Sequence, residues 1–314
     1  TLLRLPLPGM KKRRKALGSK PPAHVISWAK AVRAAKPWTK GNVAEPGDVA
    51  VLIHTGGTTG VPKAVALTHR NLISNVRQSI AWVAPLHEGS EVFYSVLPYF
   101  HAFGLTTTLL AATELGATIA VFPKFDVPQV LLSQSRLPCT FFVGVPPMFE
   151  RLLGGLAELP TDLSSMRFTL SGAMPLNEDL SDRWEAATGG LVIEGYGMSE
   201  ASPVLLGSPL SSAKKAGALG IPFPATEIKI VDPEDPTREV AEGEVGELLA
   251  RGPQVFGGYW NDPEETAEVL RDGWLHTGDL VHVKDGFVYM ADRRKELILS
   301  GGFNVYPSQV EDAV

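Results

Sequence analysis

The residues Thr55-Gly56-Gly57-Thr58-Thr59-Gly60-Val61-Pro62-Lys63 concentrate the groups that hold phosphate. Glycines let a backbone approach a ligand closely, and the exposed amides of such a loop suit phosphate oxygens. Threonine hydroxyls add donors, and Lys63 brings a positive charge. The string is not a Walker A loop, because its glycines and lysine lack that spacing. A second candidate, Gly195-Tyr196-Gly197-Met198-Ser199-Glu200, fails as a dinucleotide fingerprint, since Glu200 stands where the third glycine belongs. It nevertheless joins a hydroxyl to a carboxylate behind a flexible Gly-Tyr-Gly. Elsewhere, His101 lies between Phe100 and Phe103, and Asp292-Arg293-Arg294-Lys295-Glu296 is a run of charge. Taken alone, such a histidine is more often a hydrogen-bonded core residue, and such a run more often a solvated face.

These groups sit at the ends of regular elements. Val49 to Ile53 reads as a buried apolar strand feeding the Gly/Thr loop, and Val65-Ala66-Leu67 as the strand that leaves it. Thr68 then caps a helix in which Leu72, Ile73, Val76 and Ile80 recur at helical spacing. Strand-helix alternation continues to about residue 200, through apolar runs at 91–96, 117–122, 140–143, 168–170 and 191–193. Continuous apolar strands are expected where helices cover both faces of a sheet. After Gly220 short strands replace helices, at 227–231, 246–250 and 286–290. The expected fold class is α/β: layered strand-helix nucleotide-binding subdomains plus a smaller β-rich subdomain. Residues 1–47 form a basic, helical preface, 48–220 the α/β region, and 221–291 the β-rich subdomain.

The Gly/Thr string resembles the phosphate loop of the adenylate-forming superfamily, which includes acyl-CoA synthetases, aryl-CoA ligases, luciferases and the adenylation domains of peptide synthetases. Other segments resemble that family's motifs in the family's order, from residue 52 to 310. The resemblance implies a role for each. Thr55, Gly56, Gly57, Thr58, Thr59, Gly60 and Lys63 would hold the phosphates of ATP. Pro98-Tyr99-Phe100-His101-Ala102-Phe103-Gly104 is similar to the mouth of the acyl pocket, with His101 on the path of the carboxylate. Ser171-Gly172-Ala173-Met174-Pro175 is similar to the loop stacked on adenine. Tyr196 and Gly197 would pack on adenine, Ser199 would contact the α-phosphate, and Glu200 would hold Mg2+. That ion prefers few protein carboxylates alongside phosphates and waters. Trp274-Leu275-His276-Thr277-Gly278-Asp279-Leu280 resembles the ribose-binding segment, so Asp279 would accept from the ribose hydroxyls and Arg293 would contact ribose or phosphates. Lys295 falls at the family's hinge, and Gly301-Gly302 beside its pantetheine channel. Residues 292–314 would then be hinge and the start of a C-terminal lid.

The resemblance implies that a carboxylate attacks the α-phosphorus of ATP, giving acyl-AMP and pyrophosphate, and that the thiol of CoA then displaces AMP. Both substrates of the first step are anionic, so catalysis would be positioning plus charge neutralisation. The wording of Gly302-Phe303-Asn304-Val305-Tyr306-Pro307 and of the phosphate loop is closest to bacterial long-chain fatty acyl-CoA synthetases. No carboxylate stands beside His101 to pair an amino acid's ammonium group. A medium-chain or aryl acid stays open, as do a carrier-protein thiol acceptor and a catalytically idle nucleotide-binding scaffold. The chain opens at Thr1 without methionine and stops at Val314 in a beginning helix, so we expect a fragment. Lacking the family's C-terminal lysine, it should bind nucleotide but adenylate poorly.

Composition sets outer bounds. Over 314 residues the formal charge is -5, which argues against a nucleic-acid clamp. Cys139 is the single cysteine, set in a strand-like context; it reads as core and suits a reducing cytosol. No apolar run is long enough to span a bilayer. A cytoplasmic location follows as the expectation. The run Lys11-Lys12-Arg13-Arg14-Lys15 reads first as a solvated face, and second as peripheral contact with anionic lipid at the inner face of the membrane.

Overall fold

The computed structural model describes residues 27–37, 39, 41, 43–55, 63–211 and 213–292, together with the backbone of 293, 298–300 and 303–305. The basic run at 11–15 lies outside them. The chain divides into two units, Thr1–Glu45 and Pro46–Val314. In the first, helix α1 (Trp28–Ala34) buries no residue, and Trp28 and Val32 are exposed.

In the second unit, β1 (Val49–Thr55) and β2 (Lys63–Thr68) pair antiparallel, with Thr55 opposite Lys63. That register brings Thr55 and Lys63, the two ends of the Gly/Thr string, opposite each other. Ile53 is buried, but Val49 and Leu52 are exposed. The buried strand expected here is thus a half-covered one, because among the described residues β1 pairs with β2 alone.

The main sheet runs in the order β10-β11-β13-β14-β9-β8-β7-β6-β5-β3-β4. Its parallel part comprises β3 (Val92–Ser95), β4 (Thr118–Val121), β5 (Phe141–Gly144), β6 (Phe168–Gly172) and β7 (Leu191–Gly197). Every residue of β5 and β6 is buried, as the apolar runs require. Alternation assigns the two faces. Tyr94, Phe142 and Val192 pack under α4 (Val127–Gln134), α5 (Pro146–Gly155) and α6 (Glu178–Thr188). Phe93, Phe141, Val143 and Ile193 pack under α2 (His69–Trp82) and α3. Helix α3 runs through Ala102–Gly104, a π-wound Leu105–Leu110 and Ala111–Glu114. Strand β4 closes one edge, which leaves Val121 exposed.

Strands β8 (Val204–Gly207) and β9 (Ala218–Pro222) continue the sheet antiparallel. Beyond β9 come β14 (Phe287–Arg293), β13 (Trp274–Lys284), β11 (Gly246–Arg251) and β10 (Glu227–Val231). The β-rich segment is therefore hydrogen-bonded edge to edge with the α/β region, through β9 and β14. Short β12 (Leu270–Arg271) pairs with β13, and β15 (Ile298–Ser300) with β16 (Phe303–Val305). Among the described residues no helix is long and apolar enough to cross a membrane. Cys139 is fully buried, its thiol donates to the Phe141 carbonyl at 3.2 Å, and burial raises its pKa.

Helix α2 begins at Thr68 with a reciprocal capping box to Asn71. Its buried side differs from the apolar stripe in the sequence. Leu72 and Val76 are buried, Ile73 is exposed, and Asn71, Asn75 and Gln78 form a second buried stripe. Asn71 donates to the carbonyls of Pro253 (3.0 Å) and Val255 (2.8 Å). Asn75 donates to the Val204 carbonyl at 2.8 Å and accepts from its N–H at 3.0 Å. Gln78 donates to the Pro224 carbonyl at 2.6 Å and to Gln254 at 3.0 Å. Side-chain amides thus satisfy buried backbone groups in three non-helical segments.

Removing one of these amides leaves buried backbone groups unpaired. Asn75→Ala is expected to cost about 2 kcal/mol of stability, whereas Ile73→Ala costs less than about 1 kcal/mol. Urea denaturation of both variants checks this order, which is the reverse of a reading from hydrophobicity.

Candidate active site

The segments that follow β3, β6 and β7 leave from the carboxyl ends of the parallel strands, where ligands of open α/β sheets bind. They carry the His101 motif, the Gly172-Ala173 turn and the Ser199-Glu200 turn. His101 caps the start of α3 and is exposed, with its ring 4.8 Å from that of Phe100. Phe103, two residues on, closes against Gly172. A Cβ there would meet the Phe103 ring at 2.9 Å and the Gly195 carbonyl oxygen at 3.2 Å. Glycine is required at this approach by space. Ala173 follows in the left-handed region at φ 65°, an uncommon conformation for a residue with a side chain.

Two clusters of polar groups form around these turns. In the first, Ser199, Glu200 and Ala201 make a single 3₁₀ turn in which Ser199 is half-buried and Glu200 buried. The Glu200 carbonyl accepts from the Phe256 N–H at 2.8 Å. Its carboxylate accepts from the Tyr259 hydroxyl at 2.8 Å. Tyr259 is itself held to β2 by a bridge to Val65. The adjoining Trp260 N–H donates to the Ala64 carbonyl at 2.8 Å. Above the Tyr259 ring stands Lys63, its Nζ 5.3 Å from the centroid and in an ion pair with Glu265. Glu265 lies in the first turn of α7 (Pro263–Val269), whose cap residue Asp262 accepts from the Glu265 N–H at 3.1 Å. Burial, with Glu200 beside it, raises the pKa of the Tyr259 hydroxyl, which therefore stays a donor at neutral pH. Lys63 and Glu200, far apart in sequence, are thus joined through one tyrosine.

The second cluster joins β7 to β13. The Tyr196 hydroxyl donates to an Asp279 carboxylate oxygen at 2.6 Å. Asp279 sits opposite Arg293 in the β13–β14 register, so the backbone places these two predicted ribose contacts side by side. Buried Glu247 shapes the turn before Asp279. It accepts from the Gly278 N–H at 3.2 Å and lies 3.7 Å from His276 Nδ1. The Thr277 hydroxyl donates to the Leu248 carbonyl at 2.8 Å and accepts from the Asp279 N–H at 3.1 Å. Gly278 takes φ 73°, which glycine adopts without strain.

Thr55 and Lys63 flank the phosphate string, while Gly56, Gly57, Thr58, Thr59 and Gly60 lie outside the described residues, as do Lys295, Gly301 and Gly302. The sequence reading missed Tyr259, Glu247, Glu194 and Glu265. Glu194 left a signal, being a carboxylate at the end of the apolar run 191–193. Its backbone N–H donates to the Ser208 hydroxyl at 2.8 Å. Burial pushes its carboxyl up to about 7, against the opposing pull of the Leu176 N–H and of Lys214.

One carboxylate, oriented by a phenol and next to a serine hydroxyl, is a donor set that fits Mg2+ held mainly by phosphates and water. Among the described residues no group of three metal-ligating side chains forms a closed metal cage.

A family profile described as AMP-binding enzyme matches residues 9–260. The long-chain-fatty-acid–CoA ligase of Bacillus subtilis (strain 168) is 44% identical over 269 residues, which cover 85% of this chain and 48% of that protein. The chain thus spans about half the length of the curated relatives it matches. Among solved structures, ATP-bound MatB from Rhodopseudomonas palustris superposes with a TM-score of 0.80 at 33% identity, covering 90% of this chain and 56% of that one. O-succinylbenzoate coenzyme A synthetase (MenE) from Bacillus subtilis, in complex with ATP and magnesium ion, gives 0.76 at 33% identity, covering 86% and 55%.

The raised pKa of Glu194 makes a test of the site's electrostatics. The folded state holds its proton between about pH 4.5 and about 7, where the unfolded chain releases it, so stability falls as pH rises through that window. Glu194→Gln removes this dependence. Relative to the wild type it should gain on the order of 2 kcal/mol between pH 5 and pH 8. Urea denaturation at the two pH values measures it.

Proposed function

Because the chain belongs to the AMP-binding enzyme family, we propose that its parent protein activates a fatty acid with ATP and transfers the acyl group to CoA. A carboxylate oxygen of the acid attacks the α-phosphorus of ATP, and the bond to pyrophosphate breaks. The CoA sulfur then attacks the acyl carbonyl, its proton passes to solvent, and AMP leaves with the carboxylate oxygen it gained. The observation that carries this reading is the pair of polar clusters at the carboxyl end of β7, one joining Lys63 to Glu200 through Tyr259, the other presenting Asp279 beside Tyr196.

Each residue has work in this scheme. Lys63 and the threonine hydroxyls of the phosphate string hold the departing phosphates. Ser199 reaches the α-phosphate, and the Tyr259 hydroxyl keeps the Glu200 carboxylate turned toward its ion. Mg2+ on Glu200 would neutralise phosphate charge. Tyr196, Gly172 and Ala173 form the adenine surface, while Asp279 and Arg293 fix the ribose. His101, exposed at the start of α3, faces the entering carboxylate. None of these groups needs to form a covalent bond to substrate, so the rate advantage comes from placement and charge. Lys295 would serve as the hinge of a C-terminal lid, and Gly301-Gly302 as the wall of the pantetheine channel.

The long-chain choice rests on the names of the relatives. MenE, with its aromatic acid, supports an aryl acid as the second reading. A cytoplasmic setting agrees with a lone, buried cysteine.

The parent protein, supplied with ATP, Mg2+ and CoA, should release AMP with palmitate faster than with octanoate, acetate or benzoate. Nucleotide products resolved by chromatography check this. A preference for benzoate would move the reading to an aryl acid, and ADP in place of AMP would overturn it.

A further inference from the structure

Lys63 is paired with Glu265. The pairing crosses the fold, since Lys63 opens β2 and Glu265 belongs to the first turn of α7, 202 positions later. It is partly shielded from water, with side-chain exposures of 17% for Lys63 and 33% for Glu265. Below it lies the Tyr259 ring, whose hydroxyl is committed to Glu200. Glu265 itself is anchored at its backbone by Asp262, so its carboxylate moves through its own rotatable bonds.

Any polyphosphate that takes Lys63 therefore meets an ammonium group already neutralised by a carboxylate. Both anions cannot stay. Phosphate oxygens at contact distance from Glu265 would repel it, and Glu200 and Asp262 already place negative charge around Tyr259. Glu265 is the member that can leave, because it is the more exposed partner. Holding Lys63 in place before the ligand arrives also removes part of the side-chain entropy that ordering a lysine costs.

We infer that Glu265 is a positioning residue that occupies Lys63 in place of phosphate, yields it when ATP binds, and takes it back as pyrophosphate leaves. It acts through Lys63 and touches no reacting atom. The inference rests on the reading of Lys63 as a polyphosphate contact. Its consequence is a trade: Glu265 weakens the binding of ATP and pyrophosphate alike, and by reclaiming Lys63 it speeds the release of pyrophosphate.

The test compares Glu265→Gln, Lys63→Ala and Glu264→Gln in the intact protein, with inorganic pyrophosphate and Mg2+ as the titrant in calorimetry. Glutamine keeps the length of Glu265 and the α7 backbone while removing its charge. Glu264, exposed and adjacent, controls for a general loss of negative charge. Glu265→Gln should bind pyrophosphate about three- to tenfold more tightly, lower KM for ATP, and strengthen product inhibition by pyrophosphate. Glu264→Gln should match the wild type, and Lys63→Ala should bind more than tenfold more weakly. If Lys63→Ala binds like the wild type, the polyphosphate reading of Lys63 fails. If Lys63→Ala loses binding while Glu265→Gln is unchanged or weaker, that reading stands and the inference is overturned. Equal tightening by Glu264→Gln also overturns it. Far-ultraviolet circular dichroism and the melting temperature of each variant exclude loss of fold as the cause.

Discussion

The hydrogen bond from Tyr259 to Glu200 connects parts of the chain that share no regular secondary structure. Glu200 rides on the turn after β7, at the end of the parallel sheet, while Tyr259 is bonded to β2 of the hairpin that delivers Lys63. The bond fixes a buried carboxylate that would otherwise face a large desolvation penalty. Because the same ring lies under Lys63, the cation and the carboxylate keep a set spacing without meeting. Glu200 therefore remains available to an ion, and Lys63 is steered to Glu265 instead of collapsing onto Glu200.

Rigid support for this arrangement comes from polar groups. The amides of α2 hold the segments around Val204, Pro224 and Val255, the last adjoining Phe256, whose N–H meets the Glu200 carbonyl. Glu247 plays the corresponding part for Asp279 by accepting from Gly278. Both devices spend buried polar side chains on backbone groups that strands and helices leave unsatisfied, and both stand behind residues that face ligand. An apolar core could not supply that orientation, since dispersion forces have little directionality.

Local pattern made much of the fold legible. The strands at 141–144, 168–172 and 227–231, the Thr68 cap and the family's motifs all follow from neighbouring residues. The apolar stripe of α2 includes Ile73, which is exposed, while buried Asn75 leaves no signal, because a hydrophobicity pattern assigns amides to water. The strand before the phosphate string reads as buried, although its Val49 and Leu52 are exposed. Partners of the site residues were beyond reach for a different reason. Glu200 and Tyr259 lie 59 positions apart, and Lys63 and Glu265 lie 202 apart. Periodicity carries no information across such distances, and Tyr259 sits in a string of turn and scaffold residues.

The central claim is that the acid's own oxygen becomes bonded to the α-phosphorus. The parent protein would be given ATP, CoA, Mg2+ and palmitate labelled with oxygen-18 in its carboxylate, and the products examined by mass spectrometry. The account predicts AMP carrying one labelled oxygen, with the pyrophosphate unlabelled. Unlabelled AMP, or label appearing in inorganic phosphate, would contradict it.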